Sequence, residues 1–260
     1  MTDILTGDQP VAVGLARLSS PVPDQILDQV LGTLPAERRE RLQRFTVRAD
    51  LERGALADVL AKGLLGDRLA LPPQRVILLR NALGAPVVVN TRSDDRITRV
   101  SLAHSGCWVA CSVSDRPTGV DVEFRRGLST PALRGMFSEN TVRNLLRIEE
   151  PHRNRRALRM WTAIEAYLKM LGLGLHVDPH EVGVAVQGSE LVTVWTKEHA
   201  SQRVHLFDVD RDHVLAVCRS GAPLRRSFQL ICTTSNELFT TYLANTSPWQ
   251  HPNETLGVSA

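Results

Sequence analysis

The chain has 260 residues, of which 43% are hydrophobic and 23% charged, and these are ordinary values for a globular protein. It is long enough for one large domain or two small ones, and no apolar stretch approaches the length of a membrane span. The formal net charge of +3 is mild and argues neither for nor against nucleic acid. Three of the 31 basic residues are lysines, Lys62, Lys169 and Lys197, so each lysine stands out against an arginine background.

The cysteines and the first residues bear on the compartment. The four cysteines show no C-x-x-C spacing and no histidines at zinc spacing, which is typical of reduced thiols. The opening "MTDILTGDQP" lacks a basic region followed by an apolar run, so no signal peptide is expected. We therefore expect a cytoplasmic protein that does not contact a membrane.

The first half of the chain alternates strands with one helical block. The run "VAVGLARL" predicts a strand, and apolar residues at helical spacing predict a helical block over residues 36–62. Arginines cluster in the first turns of that block, where they form either a solvated basic face or a binding surface. The runs "RVILLR" and "APVVVN" predict short strands around a Gly-Ala-Pro turn, and "CWVACSVS" predicts another strand.

The next strand, "TGVDVEFRRG" from Thr118, carries two acids on one face. Side chains at positions i and i+2 of a strand point the same way, so Asp121 and Glu123 lie side by side and repel each other. The strand either lies at a solvated sheet edge, or something positive lies between the two carboxylates.

The pattern over residues 130–172 predicts helix and is strongest in the run "RRALRMWTAIEAYLKMLGLG". Gly172 is expected to end the helix. Glu165 and Lys169 lie at i and i+4, so they form either a surface ion pair or part of a site. Four strand-like runs follow, and we expect an α+β fold built from two similar lobes, residues 1–115 and 116–225. Residues 226–260, rich in Thr, Asn and Ser, form either a loosely ordered tail or an arm packed onto the body.

Three motifs now stand in order: "SLAHSG" from Ser101, "GVDVE" from Gly119 and "WTAIEAYLK" from Trp161. Together with the upstream "ERRERLQRF", they resemble the large, surfactin-type class of the 4'-phosphopantetheinyl transferases over residues 35–174. That family moves the phosphopantetheine arm of coenzyme A onto a serine of an acyl or peptidyl carrier protein with the help of Mg²⁺. The resemblance implies two lobes related by a pseudo-two-fold axis, an active site in the cleft between them, and a monomer.

The resemblance also implies roles for individual residues. The implied Mg²⁺ ligands are the acids of the strand and helix motifs, Asp121, Glu123 and Glu165. The implied catalytic residues are Glu165 as general base, Lys169 and His104. The implied coenzyme A contacts are Arg38, Arg41, Arg53, His104 and Lys169. Arginines of the run "VRNLLRIEEPHRNRRALRM" form either a docking patch for an acidic carrier protein or a solvated face.

Four positions depart from the family pattern: Ile164 and Ala85 replace bases, and Ala103 and Gly54 replace hydroxyl residues. Hydrogen bonds to charged groups contribute about 1.5–3 kcal/mol each, so these losses predict weaker coenzyme A binding. Two hypotheses follow. The protein is a working transferase, or it is a repurposed family member that binds or converts another ligand in the same cleft. The arginine runs lack interleaved aromatic residues, so nucleic-acid binding is not expected.

Overall fold

A computed structural model describes residues 10–89, 98–188, 190–221 and 228–245. The N-terminal residues used to judge a signal peptide, and residues 246–260 of the C-terminal segment, lie outside these ranges. The α-helices are α1 (Asp24–Gly32), α2 (Ala36–Gln43), α3 (Arg48–Leu69), α4 (Thr130–Met136), α5 (Glu139–Leu146), α6 (His152–Leu171) and α7 (Ser235–Leu243). The strands are β1 (Val11–Arg17), β2 (Leu78–Arg80), β3 (Pro86–Val88), β4 (Arg99–Ser105), β5 (Trp108–Ser114), β6 (Thr118–Phe124), β7 (Gly183–Gln187), β8 (Leu191–Trp195), β9 (Gln202–Asp208), β10 (His213–Arg219) and β11 (Phe228–Thr234).

The first sheet has the strand order β11-β1-β5-β4, and helix α3 packs across it. Helix α3 is buried along most of its length, because one side meets the sheet and the other meets α1, α2 and α7. Strand β11 pairs in parallel with β1, and a Thr234–Glu237 capping box starts α7 directly after it. Residues 228–245 thus extend the first sheet and cover its helix.

The second sheet has the order β6-β10-β9-β8-β7 and is antiparallel throughout. Helix α6 packs against β6 and β10 and ends at Gly172, whose φ of +74° is the left-handed conformation that stops a helix. Strand and helix approach very closely at Gly119. A Cβ at that position would lie 1.8 Å from the carbonyl oxygen of Ala166. A glycine is therefore required where the two acids of β6 are brought to α6.

Serine hydroxyls join the two sheets where β4 runs beside β6. Ser101 Oγ accepts from the backbone N–H of Val120 at 3.2 Å, and Thr118 Oγ1 donates to Ser112 Oγ at 3.1 Å. These groups are buried between the two sheets, where unpaired polar atoms would be costly, and the bonds satisfy them. They fix the position of β6 relative to β4 and β5.

The mixed α+β architecture confirms the predicted fold class. The helical block predicted over residues 36–62 divides into α2 and α3, with a break at residues 44–47. None of the helices in the described ranges is long and apolar enough to span a bilayer.

Candidate active site

Asp121 lies at the centre of the site, on β6 and facing α6. The residue is 5% exposed, and its Oδ1 accepts a hydrogen bond from Lys169 Nζ at 2.6 Å. The second oxygen, Oδ2, is buried and has no hydrogen-bond partner in the part of the chain that the structure describes. Lys169 therefore pairs directly with Asp121 on the strand. Lys169 therefore supplies part of the positive charge that the neighbouring carboxylates of Asp121 and Glu123 require.

Burial and crowding perturb the acids of this cluster. Burial raises the pKa of Asp121 to about 7, the positive charge of Lys169 opposes that rise, and Glu123 and Glu165 add to it. Burial likewise raises the pKa of Glu165, with Lys169 opposing and Glu123 adding. The three carboxylates are thus close enough to influence one another's ionisation, and one lysine does not offset the cost of their burial. Such a concentration of perturbed carboxylates is typical of a functional site.

Ser105, at the end of β4, holds Glu123 in place. Its hydroxyl donates to Glu123 Oε2 at 3.0 Å and accepts from the backbone N–H of Phe124 at 3.0 Å. One side chain of the first sheet therefore orients a carboxylate of the second. Ser105 was not among the predicted site residues, although it lies within the "SLAHSG" motif beside His104.

The carboxylate oxygens of Asp121, Glu123 and Glu165 are the type of ligand that a hard divalent cation prefers. Mg²⁺ prefers a few carboxylate oxygens and keeps several waters, and the unpartnered Asp121 Oδ2 offers it an acceptor. In the described ranges, no group of three or more His, Cys, Asp or Glu side chains is already disposed around a single metal position. Lys169 occupies one oxygen of Asp121, and Ser105 occupies one oxygen of Glu123.

A pocket of about 310 Å³ lies beside the acids, on the side of the first sheet. Its wall is rich in positive charge and is formed by Arg38, Arg41, Phe45, Gly54, Ala57, Arg80, Gly84, Leu102, Ala103, His104 and Lys169. Solvent reaches the ring of His104. Desolvation by the surrounding atoms nevertheless lowers its pKa, and the positive charges of Arg53 and Lys169 lower it further.

Four of the predicted coenzyme A contacts, Arg38, Arg41, His104 and Lys169, meet in this pocket. Arg53 does not line it. Its guanidinium donates to the carbonyl oxygen of Gly106 at 3.0 Å and pairs with Asp50. Arg53 thus ties α3 to the turn after His104 and acts on that histidine through its charge. Lys169 touches both the pocket and Asp121, so it joins the basic pocket to the acidic cluster.

Two family models match the chain. Residues 20–115 match the N-terminal part of 4'-phosphopantetheinyl transferases, and residues 117–218 match the 4'-phosphopantetheinyl transferase superfamily. The chain belongs to the 4'-phosphopantetheinyl transferase superfamily. This confirms the predicted family and the predicted enzyme class, a transferase.

Several bacterial transferases are similar to the chain over most of their length. The 4'-phosphopantetheinyl transferase ffp of Bacillus subtilis is 25% identical over 202 residues, covering 77% of this chain and 88% of the relative. The transferase gsp of Aneurinibacillus migulanus is 23% identical over 191 residues, covering 72% and 77%. The transferase HetI of a Nostoc strain is 26% identical over 181 residues, covering 68% and 76%.

The structure gives physical reasons for two of the four departures from the phosphopantetheinyl transferase pattern. Ile164 is fully buried in the apolar core between α6 and the second sheet, where a lysine would be costly. A Cβ at Gly54 would lie 2.3 Å from a methyl group of Leu42, so a glycine lets α2 pack against α3. Ala103 lines the pocket, and Ala85 lies in the β2–β3 turn, where its N–H donates to Asn81 Oδ1 at 2.9 Å.

Arg80 in the pocket wall was not among the predicted site residues of this phosphopantetheinyl transferase. It lies at the end of β2 in the run "RVILLR", which alternates like an ordinary strand and gives no motif signal. Arg80 Nη2 donates to Asp58 Oδ1 at 2.6 Å, and Asp58 comes from the buried centre of α3. Only the packing of the β2–β3 hairpin against α3 brings these residues together.

Proposed function

We propose that this protein transfers the 4'-phosphopantetheine arm of coenzyme A to a serine of an apo carrier protein, with Mg²⁺, as a cytoplasmic monomer. The observation that carries the proposal is the position of Lys169. It stands between a cluster of three carboxylates and a pocket lined by arginines. Coenzyme A has a matching division of charge, with a 3'-phosphate monoester at one end and a pyrophosphate further along. The arginines suit the monoester, and the carboxylates suit a metal ion on the pyrophosphate.

Asp121, Glu123 and Glu165 would hold the metal ion. When bound, Mg²⁺ supplies neutralisation of the pyrophosphate oxygens, where negative charge increases as the bond to the leaving group breaks. Lys169 is a compact ammonium that contacts Asp121 in the free protein, and we expect it to contact a phosphate oxygen when ligand is bound. His104, whose pKa is lowered in the free protein, would gain a proton against the same anionic ligand.

Glu165 is the proposed general base. Burial raises its pKa, so this carboxylate is a stronger base than an exposed glutamate. In the proposed step, Glu165 takes the proton of the carrier serine directly or through a water molecule. The serine oxygen bonds to the phosphorus that bears pantetheine, and the bond from that phosphorus to the bridging oxygen breaks. Adenosine 3',5'-bisphosphate leaves with the electron pair.

The carrier protein would dock near α5 and the start of α6. Arg143, Arg147 and Arg156 are exposed there and form no ion pair within the described ranges. By contrast, Arg155 and Arg159 both contact Asp208, so part of the charge expected at this surface is already offset. Exposed arginines would steer an acidic partner and raise its association rate more than its final affinity.

Intact-mass measurement tests the proposed function. The protein is incubated with coenzyme A, Mg²⁺ and a panel of apo acyl and peptidyl carriers, and the expected result is the added mass of phosphopantetheine. Glu165→Gln should abolish the addition while folding normally, because the amide keeps the shape and loses the base. Glu198→Gln, an exposed acid between β8 and β9, is the matched control and should retain activity. No added mass on any carrier, from a protein shown to be folded, would refute the proposal and favour a repurposed site.

A further inference from the structure

A histidine of the second sheet, His213, packs against the turn that joins β4 to β5. It is the first residue of β10 and is 4% exposed. A Cβ at Gly106 would lie 2.5 Å from His213 Nε2, so the tip of the imidazole rests against the bare Cα of that glycine. Gly106 has a φ of +57° and ends the motif "SLAHSG". His213 therefore supports the segment that carries His104 and Ser105.

The other ring nitrogen of His213 is held by Asp210. His213 Nδ1 lies 2.9 and 3.1 Å from the two carboxylate oxygens of Asp210. The same carboxylate accepts from Trp108 Nε1 at 2.8 Å and from the backbone N–H of Asp212 at 2.8 Å. An ionised carboxylate can only accept, so Nδ1 is the donor in its bond to Asp210. Because Trp108 belongs to the first sheet, Asp210 links the imidazole to both sheets.

The ring also packs on Phe124, which follows Glu123 at the end of β6. The two ring centroids are 5.1 Å apart at an interplanar angle of 54°, and His213 pairs with Phe124 in the β6–β10 register. The backbone N–H of Phe124 donates to Ser105 Oγ at 3.0 Å, and Ser105 donates to Glu123 Oε2 at 3.0 Å. The imidazole therefore lies between the turn after Ser105 and the end of the strand that carries Glu123.

Contacts from the first sheet and its helix hold this turn on the opposite side. Arg53 of α3 donates to the carbonyl oxygen of Gly106 at 3.0 Å. The backbone N–H of Leu18, just past β1, donates to the carbonyl oxygen of Cys107 at 2.8 Å. The imidazole fills the space between the turn and β10. Its removal would leave a cavity, and neighbouring atoms relax partly into such a space, so the end of β4 would shift with the turn.

We propose that His213 is a positioning residue for Glu123, a spacer that keeps the Ser105 hydroxyl within hydrogen-bonding distance of that carboxylate. The inference rests on the proposed function for the role of Glu123 as a metal ligand. A carboxylate with one oxygen fixed by a hydrogen bond presents the other to a metal ion in a defined direction. Loss of the spacer should therefore weaken metal binding, because groups that orient metal ligands contribute about ten- to a hundredfold to affinity.

Two amide substitutions separate the spacer from the hydrogen bond to Asp210. Asparagine places its amide nitrogen close to the position of Nδ1 and has no atom at the position of Nε2. Glutamine is one methylene longer and reaches the position of Nε2. His213→Asn should therefore keep the bond to Asp210 and leave a gap beside Gly106, whereas His213→Gln should fill that gap.

Titration with Mn²⁺ alone, followed by the electron paramagnetic resonance signal of the free ion, measures the metal site without carrier protein or turnover. Mn²⁺ accepts the same carboxylate ligands as Mg²⁺. His213→Asn should weaken Mn²⁺ binding about tenfold, and His213→Gln should stay within about threefold of wild type. His199→Ala removes a half-buried histidine that contacts Thr196 before β9, and this control should bind Mn²⁺ normally. Thermal melts show whether each variant is folded.

A double variant shows whether His213 acts through Ser105. Ser105→Ala already removes the hydroxyl that the spacer positions. Adding His213→Asn to Ser105→Ala should therefore weaken Mn²⁺ binding by less than about twofold more. A ring that only stabilised the fold would add its full loss to that of Ser105→Ala.

Wild-type Mn²⁺ binding by His213→Asn, equal losses in the two amide variants, or additive losses in the double variant would each overturn the proposal. So would a wild-type protein that binds no Mn²⁺. The proposed transfer is judged separately by the mass assay. A protein with the expected Mn²⁺ affinities that modifies no carrier keeps the positioning role and loses the transferase function. A protein that modifies carriers while His213→Asn binds Mn²⁺ normally does the reverse.

Discussion

The close approach of β6 to α6 should be the most sensitive point of the active site, and Gly119→Ala probes it. A Cβ at Gly119 would lie 1.8 Å from the carbonyl oxygen of Ala166 and 2.6 Å from the backbone nitrogen of Met170. Ordinary van der Waals contact begins at 3.4 Å. Both obstacles are backbone atoms, so no side chain can rotate away, and the strand and helix must separate.

The size of the effect follows from this geometry. Overpacking a core usually costs about 1–3 kcal/mol when neighbours can adjust. Here two main chains must move, so we expect a loss of about 3 kcal/mol or more in the free energy of unfolding. Asp121 lies two residues along the strand from Gly119, and Lys169 lies on the facing turn of the helix. A displacement of about 1 Å between reacting groups can cost on the order of a hundredfold in rate, so transfer to the carrier should fall at least that far.

Urea denaturation and the carrier mass assay measure the two effects separately. Gly127→Ala is the matched control, because no atom lies within 4 Å of the Cβ it would add. The control should unfold at the wild-type urea concentration and retain activity. A Gly119→Ala protein within about 0.5 kcal/mol of wild type would refute the reasoning, since substitutions without structural consequence fall within that range.

Three further predictions concern the acids and the docking surface. Ser105→Ala removes the hydrogen bond to Glu123, so the Mg²⁺ concentration for half-maximal transfer should rise about tenfold. Ser105→Thr keeps a hydroxyl and should restore the wild-type Mg²⁺ concentration. An unchanged dependence on Mg²⁺ in Ser105→Ala would contradict this role. Burial raises the pKa of Asp121 from 3.8 to about 7, so the folded state binds this proton more tightly and ionisation removes stability as pH rises through that window. Without metal, the gain in thermal stability of Asp121→Asn over wild type should therefore grow between about pH 4 and pH 7. A difference in Tm that does not change with pH would argue against it. The double variant Arg143→Glu and Arg156→Glu should raise the KM for carrier several-fold and leave the KM for coenzyme A unchanged, whereas a parallel rise in both would indicate misfolding.

The position of Arg80 changes the expectation of weak coenzyme A binding. Ala85 was expected to leave the pocket short of a base. Arg80 lies five residues earlier on the same hairpin and places a guanidinium in the pocket wall. Ile164, which replaces the other base, packs in the apolar core between α6 and the second sheet. The two missing bases are therefore weaker evidence for a repurposed protein than the sequence suggested.

Local sequence patterns predicted most of the helices and strands, although not the breaks within the helical segments. The alternation in "TGVDVEF" defines β6 and places Asp121 and Glu123 on one face, because a strand repeats every two residues. Gly172 ends α6 where the pattern places the stop, because glycine adopts the left-handed conformation without a Cβ clash. The family motifs also singled out His104 and Lys169, which both line the pocket.

Long-range contacts were beyond these patterns, and they decide how the site works. Lys169 pairs with Asp121 across 48 residues of chain, although Glu165 lies four residues away on the same helix. Asp58 joins arginines from α2 and β2, and β11 pairs with β1 from the other end of the chain. Periodicity reports which face of an element is apolar, since that depends on a few neighbouring residues. The partner that each face meets depends on packing between distant elements, and only the folded chain specifies it.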